Sequence, residues 1–164
     1  MQSVGIVGAS GYTGLECVRL VLDHPQLELA HIFSRTYEGQ ALGDVFRQFC
    51  DERILFESFS TEALSSSSLD VLILALPHNE SHHLGAALES FKGVVIDLSA
   101  DFRFDDVKDF ESVYHQTHAS PLLNGEFVLG IPELKRSALK STDYIACPGC
   151  YSTSVMLALH PLKP

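Results

Sequence analysis

The chain has 164 residues, of which 46% are hydrophobic, and a formal net charge of -10 at pH 7. This length and apolar content suffice for one domain with its own core. The negative charge argues against nucleic acid or an anionic membrane as a partner, because both are bound through basic surfaces. A small molecule bound by a few local cations is expected instead. The four cysteines are too few for a secreted disulfide scaffold, and neither a leader pattern nor a membrane-spanning apolar run is present. We therefore expect free thiols and a cytoplasmic location.

The N-terminus combines an apolar strand, a glycine turn and an amphipathic helix. Residues 4–7 form a short apolar run, and glycines follow it in a GxxGxxG pattern. Leu15, Val18 and Leu22 then recur at helical spacing. Glycines in such a turn let backbone N–H groups approach a pyrophosphate at a helix N-terminus, although an ordinary strand-to-helix turn is the alternative. The predicted cofactor contacts are Gly8, Ser10, Gly11, Tyr12, Thr13 and Gly14.

The predicted second strand, residues 27–33, ends at Ser34 and Arg35. An NAD site usually places an acidic residue about 20 residues beyond the glycines, where it holds the ribose 2′-hydroxyl. Here a hydroxyl and a guanidinium stand at that place, and both suit a 2′-phosphate through charge-assisted hydrogen bonds. The sequence thus favours NADP(H) over NAD(H), and a solvated loop arginine is the alternative for Arg35.

The rest of the chain alternates between strands and helices, which predicts an α/β, doubly wound, mostly parallel Rossmann-like sheet. An irregular or helical connection is expected at 37–51, a mobile serine-rich turn at 60–70, a helix at 80–90 and a loop with a short helix at 105–124. The further predicted strands are 54–56, 71–76, 94–97, 127–132 (where Pro132 opens a helix) and 144–146.

Polar side chains follow two of the central predicted strands. Ligands of doubly wound sheets bind beyond the carboxyl ends of the strands. We therefore expect one crevice beside the glycine turn, with Pro77 and Ser99 near the cofactor and Arg103 on the phosphate of the substrate. The alternative for Arg103 is an ion pair with Asp101 or Asp105.

Three histidines at positions 78, 82 and 83 form an HxxxHH pattern. Without a further cysteine, histidine or carboxylate at matched spacing, this pattern is weak evidence for a metal site. We expect no metal there and interpret the three residues as partly exposed histidines at a helix start.

The last predicted strand leads into the sequence CPGC at residues 147–150. This pattern fits either a redox dithiol or a nucleophilic cysteine, and the preceding nucleotide pattern favours the nucleophile. An apolar helical run follows Cys150, so the thiol is expected at a helix N-terminus, where the dipole favours thiolate. A thiolate beside a nicotinamide suggests attack on an activated acyl group and hydride transfer to the thioester. A buried, inert cysteine is the alternative.

Five segments together closely resemble one enzyme family, N-acetyl-gamma-glutamyl-phosphate reductase of the semialdehyde dehydrogenase group. They occur in the family's order and span nearly the whole chain, and their sequences are GASGYTG (8–14), ALPH (75–78), DLSADFR (97–103), GIPE (130–133) and PGCY (148–151).

The resemblance implies an NADPH-dependent oxidoreductase of arginine biosynthesis that reduces an acyl phosphate to N-acetylglutamate 5-semialdehyde and phosphate. In this family the matched Cys150 displaces phosphate to form a thioester, which hydride then reduces. The family commonly has Asn before the PGCY segment and Pro-Thr after it, whereas this chain has Cys147 and Ser152-Thr153. The substitution at Cys147 removes an amide beside the nucleophile.

The family continues into a second domain that supplies a catalytic histidine, much of the substrate pocket and the subunit contact. The sequence therefore predicts an NADP-binding domain at 1–149 and the start of a catalytic domain at 150–164. We expect this chain alone to be inactive, and the whole enzyme to be a homo-oligomer or to use a separate C-terminal domain. His78 is the nearest candidate acid/base, but its Leu-Pro-His turn indicates a role beside the cofactor. Two alternatives stay open: a reductase of aspartyl or aminoadipyl phosphate, and a non-catalytic NADP-binding module.

Overall fold

A seven-stranded sheet, parallel throughout, forms the centre of the molecule. The computed structural model describes residues 1–61, 64 and 68–162. The spatial order of the strands is β3-β2-β1-β4-β5-β7-β6. In chain order the strands are β1 Gln2–Val7, β2 Leu27–Phe33, β3 Phe56–Glu57, β4 Val71–Leu74, β5 Val94–Asp97, β6 Val128–Leu129 and β7 Tyr144–Ala146.

Seven α-helices lie within the described residues, six of them between strands and one after the last strand. They are α1 Tyr12–Leu22, α2 Leu42–Val45, α3 Gly85–Ser90, α4 Val107–Tyr114, α5 Pro121–Asn124, α6 Pro132–Leu139 and α7 Cys150–Leu159. Short 3-10 turns are found at Arg47–Phe49, Ser81–Leu84 and His160–Leu162. In the described part of the chain, every helix is too short or too polar to cross a lipid bilayer.

The apolar core lies on both faces of the sheet, as the predicted doubly wound fold requires. Ile6 packs with Val18 of α1 in one cluster, whereas its neighbour Val7 packs with Leu74 and Leu88 in the other. Consecutive residues of a strand face opposite sides, so one short apolar run supplies both layers. This arrangement confirms the predicted fold class.

Several predicted elements differ in detail. The third strand is Phe56–Glu57 and not 54–56, because Leu55 forms an isolated antiparallel bridge with Ala41. The predicted strand at 71–76 ends at Leu74, and the region 105–124 contains two helices, α4 and α5. Part of the predicted serine-rich turn, residues 62–63 and 65–67, lies outside the described residues.

Two predictions about helices are also corrected. The helix predicted at 80–90 divides into a 3-10 turn and α3, and at the junction Gly85 packs so closely against Ser120 that a Cβ atom would overlap its hydroxyl. In α1 the buried face is completed by Val21, at 3% exposure, whereas Leu22 is 37% exposed. Both i+3 and i+4 neighbours of Val18 were possible on the buried face, and the helix buries the i+3 residue, Val21, rather than the i+4 residue, Leu22.

Candidate functional site

The glycine turn between β1 and α1 is closely packed against the neighbouring strands. Gly8 has a φ of +78°, and a Cβ atom there would overlap the carbonyl oxygen of Ala75 at the end of β4. A Cβ atom at Gly14 would overlap the carbonyl oxygen of Gly8. Phe33 accepts hydrogen bonds from the N–H groups of Gly8 and Ala9 at 3.1 and 3.2 Å. These two glycines are therefore required by the backbone itself.

The N-terminus of α1 is open for an anion. The N-cap residue is Gly11, which has no side chain to cap the helix. Its carbonyl accepts the first helical hydrogen bond, from the N–H of Leu15 at 2.8 Å. The N–H groups of the first turn have no intrahelical acceptor, which makes them available to a phosphate. Tyr12 and Thr13 are exposed beside them.

The end of β2 lies directly against the glycine turn. Ser34 is 7% exposed, and its hydroxyl oxygen is 2.8 Å from that of Ser10 and accepts from the N–H of Thr36 at 3.3 Å. Arg35 is exposed and makes no ion pair within the described part of the chain. The structure thus brings the predicted serine to the turn and leaves the predicted guanidinium free for a ligand.

The segment after β4 lies at the same carboxyl edge of the sheet as the glycine turn. Pro77 and His78 are exposed, and His78 Nδ1 accepts from the N–H of Ala100 at 3.0 Å. Asn79 has a φ of +67° and donates its N–H to Asp101 at 2.7 Å. Asparagine tolerates this left-handed conformation better than most residues do. His78 is therefore tied to the loop after β5 through its Nδ1.

The carboxylate of Asp97 is buried at the end of β5. It accepts from the hydroxyl of Ser81 at 2.8 Å and from the hydroxyl of Ser99 at 2.7 Å. Burial raises the pKa of Asp97 above its usual range, while these hydrogen bonds act in the opposite direction. Ser99 is itself fully buried and accepts from the N–H of Asp101. The hydroxyl of Ser99 is thus engaged within the protein. The predicted contact with a cofactor therefore does not come from this side chain.

Arg103 contacts backbone carbonyls and forms neither of the ion pairs considered as its alternative. Its Nε donates to the carbonyl of Cys147 at 2.7 Å, and its Nη2 donates to the carbonyl of Leu98 at 3.0 Å. The carboxylate of Asp101 instead accepts from the N–H groups of Asn79 and His82. Arg103 Nη1 makes no hydrogen bond within the described residues, so one edge of the guanidinium is available.

The two cysteines of the CPGC segment occupy different environments. Cys150 is exposed and is the first residue of α7, as predicted, with Gly149 as an extended N-cap. Cys147 is half-buried, and burial together with Asp97 raises the pKa of its thiol to about 11. All four cysteines of the chain are free. A half-buried Cys147 with a raised pKa is a poor attacking thiolate, which leaves Cys150 as the better candidate nucleophile of the two.

The histidine pattern has a structural role that the sequence did not reveal. His82 is 1% exposed, not partly exposed as predicted, and it packs against His118 with ring centroids 4.9 Å apart. Each ring accepts a backbone N–H at Nδ1, from Ala119 and Ser120 respectively. Burial is the largest effect on the pKa of both histidines and lowers it, which favours their neutral forms. Because His118 is far away in sequence, no spacing pattern could predict this pair.

The described residues offer no metal site, because no group of three or more His, Cys, Asp or Glu residues converges among them. A cavity of about 610 Å³ lies along β6 and α6 and is lined by none of the predicted site residues. Sequence reasoning also missed Asp97, although an acid at a strand end followed by Ser99 is a typical turn signal.

Comparison with known proteins assigns the chain to a family. A family model described as the NAD-binding domain of semialdehyde dehydrogenase matches residues 3–142. A protein of Methanopyrus kandleri named N-acetyl-gamma-glutamyl-phosphate reductase is 44% identical over 164 residues, which cover 99% of this chain and 48% of that protein. A protein of Thermomicrobium roseum named putative LysW-L-2-aminoadipate 6-phosphate reductase is 42% identical, covering 98% of this chain and 45% of that protein. The chain spans about half the length of the curated relatives it matches.

Solved structures show the same fold. The aspartate semialdehyde dehydrogenase II of Vibrio cholerae, complexed with ASA, superposes with a TM-score of 0.68 at 21% identity, covering 99% of this chain and 46% of that one. The Candida albicans aspartate semialdehyde dehydrogenase, solved with NADP, gives 0.64 at 17% identity, covering 99% and 46%. This likeness shows the fold, and the family match over residues 3–142 shows that the chain belongs to the semialdehyde dehydrogenase family and carries its NAD-binding domain.

Proposed function

We propose that this chain provides the NADP(H) site and the cysteine nucleophile of an N-acetyl-gamma-glutamyl-phosphate reductase, which makes N-acetylglutamate 5-semialdehyde for arginine biosynthesis. The carrying observation is the position of Cys150, at the first residue of α7 and at the same edge of the sheet as the glycine turn. β7 is three strands from β1, so about 14 Å separates the two strand ends. A dinucleotide held at the glycine turn would extend across β4 and β5 toward the thiol.

The glycine turn fits a dinucleotide because side chains are excluded at Gly8 and Gly14 and the first N–H groups of α1 lack acceptors. When bound, NADPH supplies the hydride that reduces the acyl group. Arg35 supports the choice of NADP(H), because its exposed guanidinium is available to the ribose 2′-phosphate. The residues proposed to hold the cofactor are Gly8, Ser10, Gly11, Tyr12, Thr13, Gly14, Ser34, Arg35 and Pro77, whereas the predicted contact Ser99 is fully buried and would act only through its hydrogen bond to Asp97.

In the proposed reaction the thiolate of Cys150 attacks the acyl carbon of the substrate. The bond from that carbon to the phosphate oxygen breaks, inorganic phosphate leaves, and a thioester forms on Cys150. After hydride reaches the thioester carbon, the carbon–sulfur bond breaks and releases the aldehyde and the thiolate. The unpaired N–H groups of α7 would stabilise the oxyanion formed in each step. The free Nη1 edge of Arg103 would bind the phosphate.

We further propose that 1–149 is the NADP-binding domain and that 150–164 begins a catalytic domain. Among the described residues, no hydrogen bond links Cys150 to a histidine that could act as acid or base. The acid/base would then come from a second domain, in the same polypeptide or made separately. The whole enzyme is proposed to act as a cytoplasmic homo-oligomer on small acyl phosphates.

A second candidate is a reductase of aminoadipyl phosphate, because the Thermomicrobium roseum relative carries that name at 42% identity.

The experiment that tests both candidates is the reverse reaction, phosphate-dependent formation of NADPH from semialdehydes of N-acetylglutamate, aminoadipate and aspartate. Residues 1–164 are assayed with and without a separately made second domain from a relative, and Cys150→Ser is the control. We expect N-acetylglutamate semialdehyde to have the highest kcat/KM, and only with the second domain present.

The other outcomes separate the alternatives. Preference for aminoadipate semialdehyde would favour the second candidate, and preference for aspartate semialdehyde would indicate a third substrate class. NADPH binding without turnover of any semialdehyde, even with the second domain, would favour a non-catalytic module.

A further inference from the structure

Arg103 connects two segments that are distant in sequence and adjacent in the sheet. It belongs to the loop after β5, and it reaches the turn after β7, which runs beside β5. Nε donates to the carbonyl of Cys147 at 2.7 Å and Nη2 to the carbonyl of Leu98 at 3.0 Å. The planar guanidinium thus spans both loops, and a geometry of this kind needs donors at fixed angles.

The loop that carries Arg103 is itself firmly held. The carboxylate of Asp101 accepts N–H groups from Asn79 at 2.7 Å and from His82 at 3.1 Å. His118 Nε2 contacts the carbonyl of Asp101 at 3.0 Å, and Ala100 donates its N–H to His78. The segment is therefore fixed on three sides before Arg103 extends from it.

Apart from Arg103, the described residues join the turn before α7 to the sheet by one hydrogen bond and to α7 by three, donated to the carbonyl of Gly149 by Thr153 N–H and by the hydroxyls of Ser152 and Thr153. The N–H of Cys147 donates to the carbonyl of Asp97 at 2.7 Å, and the carbonyl of Gly149 accepts from the N–H of Thr153 at 2.9 Å. Pro148 has no N–H to donate. Arg103 Nη1 lies 3.3 Å from where a Cβ atom of Gly149 would be. The guanidinium of Arg103 therefore lies along the turn from Cys147 to Gly149, the residue before Cys150.

We infer that Arg103 is a positioning residue for Cys150, and that this role is separate from any contact with substrate phosphate. Nε and Nη2 hold the turn to the fixed loop after β5, and the N-terminus of α7 is thereby fixed at the carboxyl edge of the sheet. A lysine would keep the charge, but its single ammonium lacks the planar pair of donors that spans both carbonyls. Only the catalytic consequence rests on the proposed function, because the restraint itself acts without substrate.

The test uses residues 1–164 without ligand and compares wild type with Arg103→Lys and Arg103→Ala. Hydrogen exchange is followed at the amides of Cys147 and Thr153, and alkylation of Cys150 is measured relative to the exposed Cys50. We expect exchange at both amides to accelerate by about tenfold or more in both variants, because a charge-assisted restraint is lost. The ratio of Cys150 to Cys50 alkylation should fall by about threefold. Millimolar guanidinium should restore both readouts in Arg103→Ala and not in Arg103→Lys.

Arg136→Ala is the matched control, because Arg136 is exposed on α6 and makes no ion pair within the described residues. It should leave both readouts unchanged. Wild-type exchange and wild-type alkylation in Arg103→Lys would overturn the inference. If Arg103→Ala does not fold, Arg103→Lys and Arg103→Gln answer the same question. None of these measurements requires turnover, so failure of the reductase assay and failure of this inference are distinguishable.

Discussion

The hydroxyl oxygens of Ser10 and Ser34 lie 2.8 Å apart, joining the glycine turn after β1 to the end of β2. Ser34 also accepts from the N–H of Thr36, so a hydrogen bond donated by Ser10 leaves the Ser34 proton free to point outward. The two segments proposed for the pyrophosphate and for the ribose 2′-phosphate therefore form one continuous surface.

Replacement of Arg35 by aspartate should weaken NADPH binding. The exposed guanidinium is the proposed partner of the 2′-phosphate, and loss of a charge-assisted hydrogen bond costs about 1.5 to 3 kcal/mol. We expect the Kd of NADPH to rise by about 10- to 150-fold in Arg35→Asp, whereas the Kd of NADH stays constant or falls. Fluorescence titration with both nucleotides measures this. Arg136→Asp controls for net charge, and equal affinities of the wild type for NADPH and NADH would refute the assignment.

Cys150 should be the most reactive thiol of the chain near neutral pH. Cys147 is half-buried, and burial raises the pKa of its thiol to about 11, which strongly favours the protonated form near pH 7. Brief iodoacetamide treatment followed by mass spectrometry should label Cys150 about tenfold or more faster than Cys147. Cys50, which is exposed but outside the N-terminus of α7, is the internal reference. Faster labelling of Cys147, or a disulfide between Cys147 and Cys150 under reducing conditions, would support the redox alternative.

The buried histidines should make the fold sensitive to acid. Burial is the largest effect on the pKa of His82 and lowers it, and the neighbouring His83 and His118 also lower it, whereas Asp101 and Glu80 raise it. A histidine with a lowered pKa stabilises the folded state fully above its unfolded pKa of about 6.5, and this stability is lost as the pH falls. Protonation would also direct an N–H at the N–H of Ala119.

His82→Gln should therefore flatten the pH dependence of stability. Between pH 7.5 and 5.5, the variant should lose less free energy of unfolding than the wild type by at most about 1.4 kcal/mol, the limit for one proton that only the unfolded state binds. Urea unfolding followed by circular dichroism measures both values. The raised pKa of Asp97 has the opposite sign and is common to both proteins, so it cancels in the difference. His83→Gln, at the exposed neighbour, should behave like the wild type, and parallel pH profiles for all three would contradict the expectation.

The outer face of α7 should promote association. Its apolar side chains are spaced along one stripe, with exposures of 87% for Tyr151, 56% for Val155 and 58% for Leu159, and Leu162 in the following 3-10 turn is 76% exposed. We expect residues 1–164 to self-associate or bind hydrophobic dyes, and the pair V155E and L159E to reduce both effects. Because these sites are exposed, the free energy of unfolding should change by no more than about 0.5 kcal/mol. Leu20→Glu, at an exposed leucine of α1, is the control, and sedimentation velocity decides the outcome.

The fold was predictable where local sequence alone determines the structure. The glycine turn, the apolar run of β5 and the helix beginning at Cys150 all follow from neighbouring residues, and the structure confirms each of them. The boundaries were less certain where a tertiary contact intervenes. Gly85 interrupts the predicted helix because of its packing against Ser120, which is distant in the sequence.

The candidate site shows the same division. The carboxyl-edge rule brought Pro77, Ser99 and Arg103 to one side of the sheet, since it depends only on strand direction. It did not predict which atoms each side chain contacts. The contact of Arg103 with the carbonyl of Cys147 needs β7 beside β5, and the strand order is a tertiary property.

The position of β7 has a consequence for biosynthesis of the chain. β7 lies between β5 and β6 although it follows both in sequence. Until residues 144–146 have left the ribosome, the facing edges of β5 and β6 lack a partner strand, and such edges are prone to pair with other chains. Parallel pairing over long sequence separations is also slow. The turn before Cys150 can therefore form only once β7 has inserted, so a single strand insertion both positions Cys150 and covers the facing edges of β5 and β6.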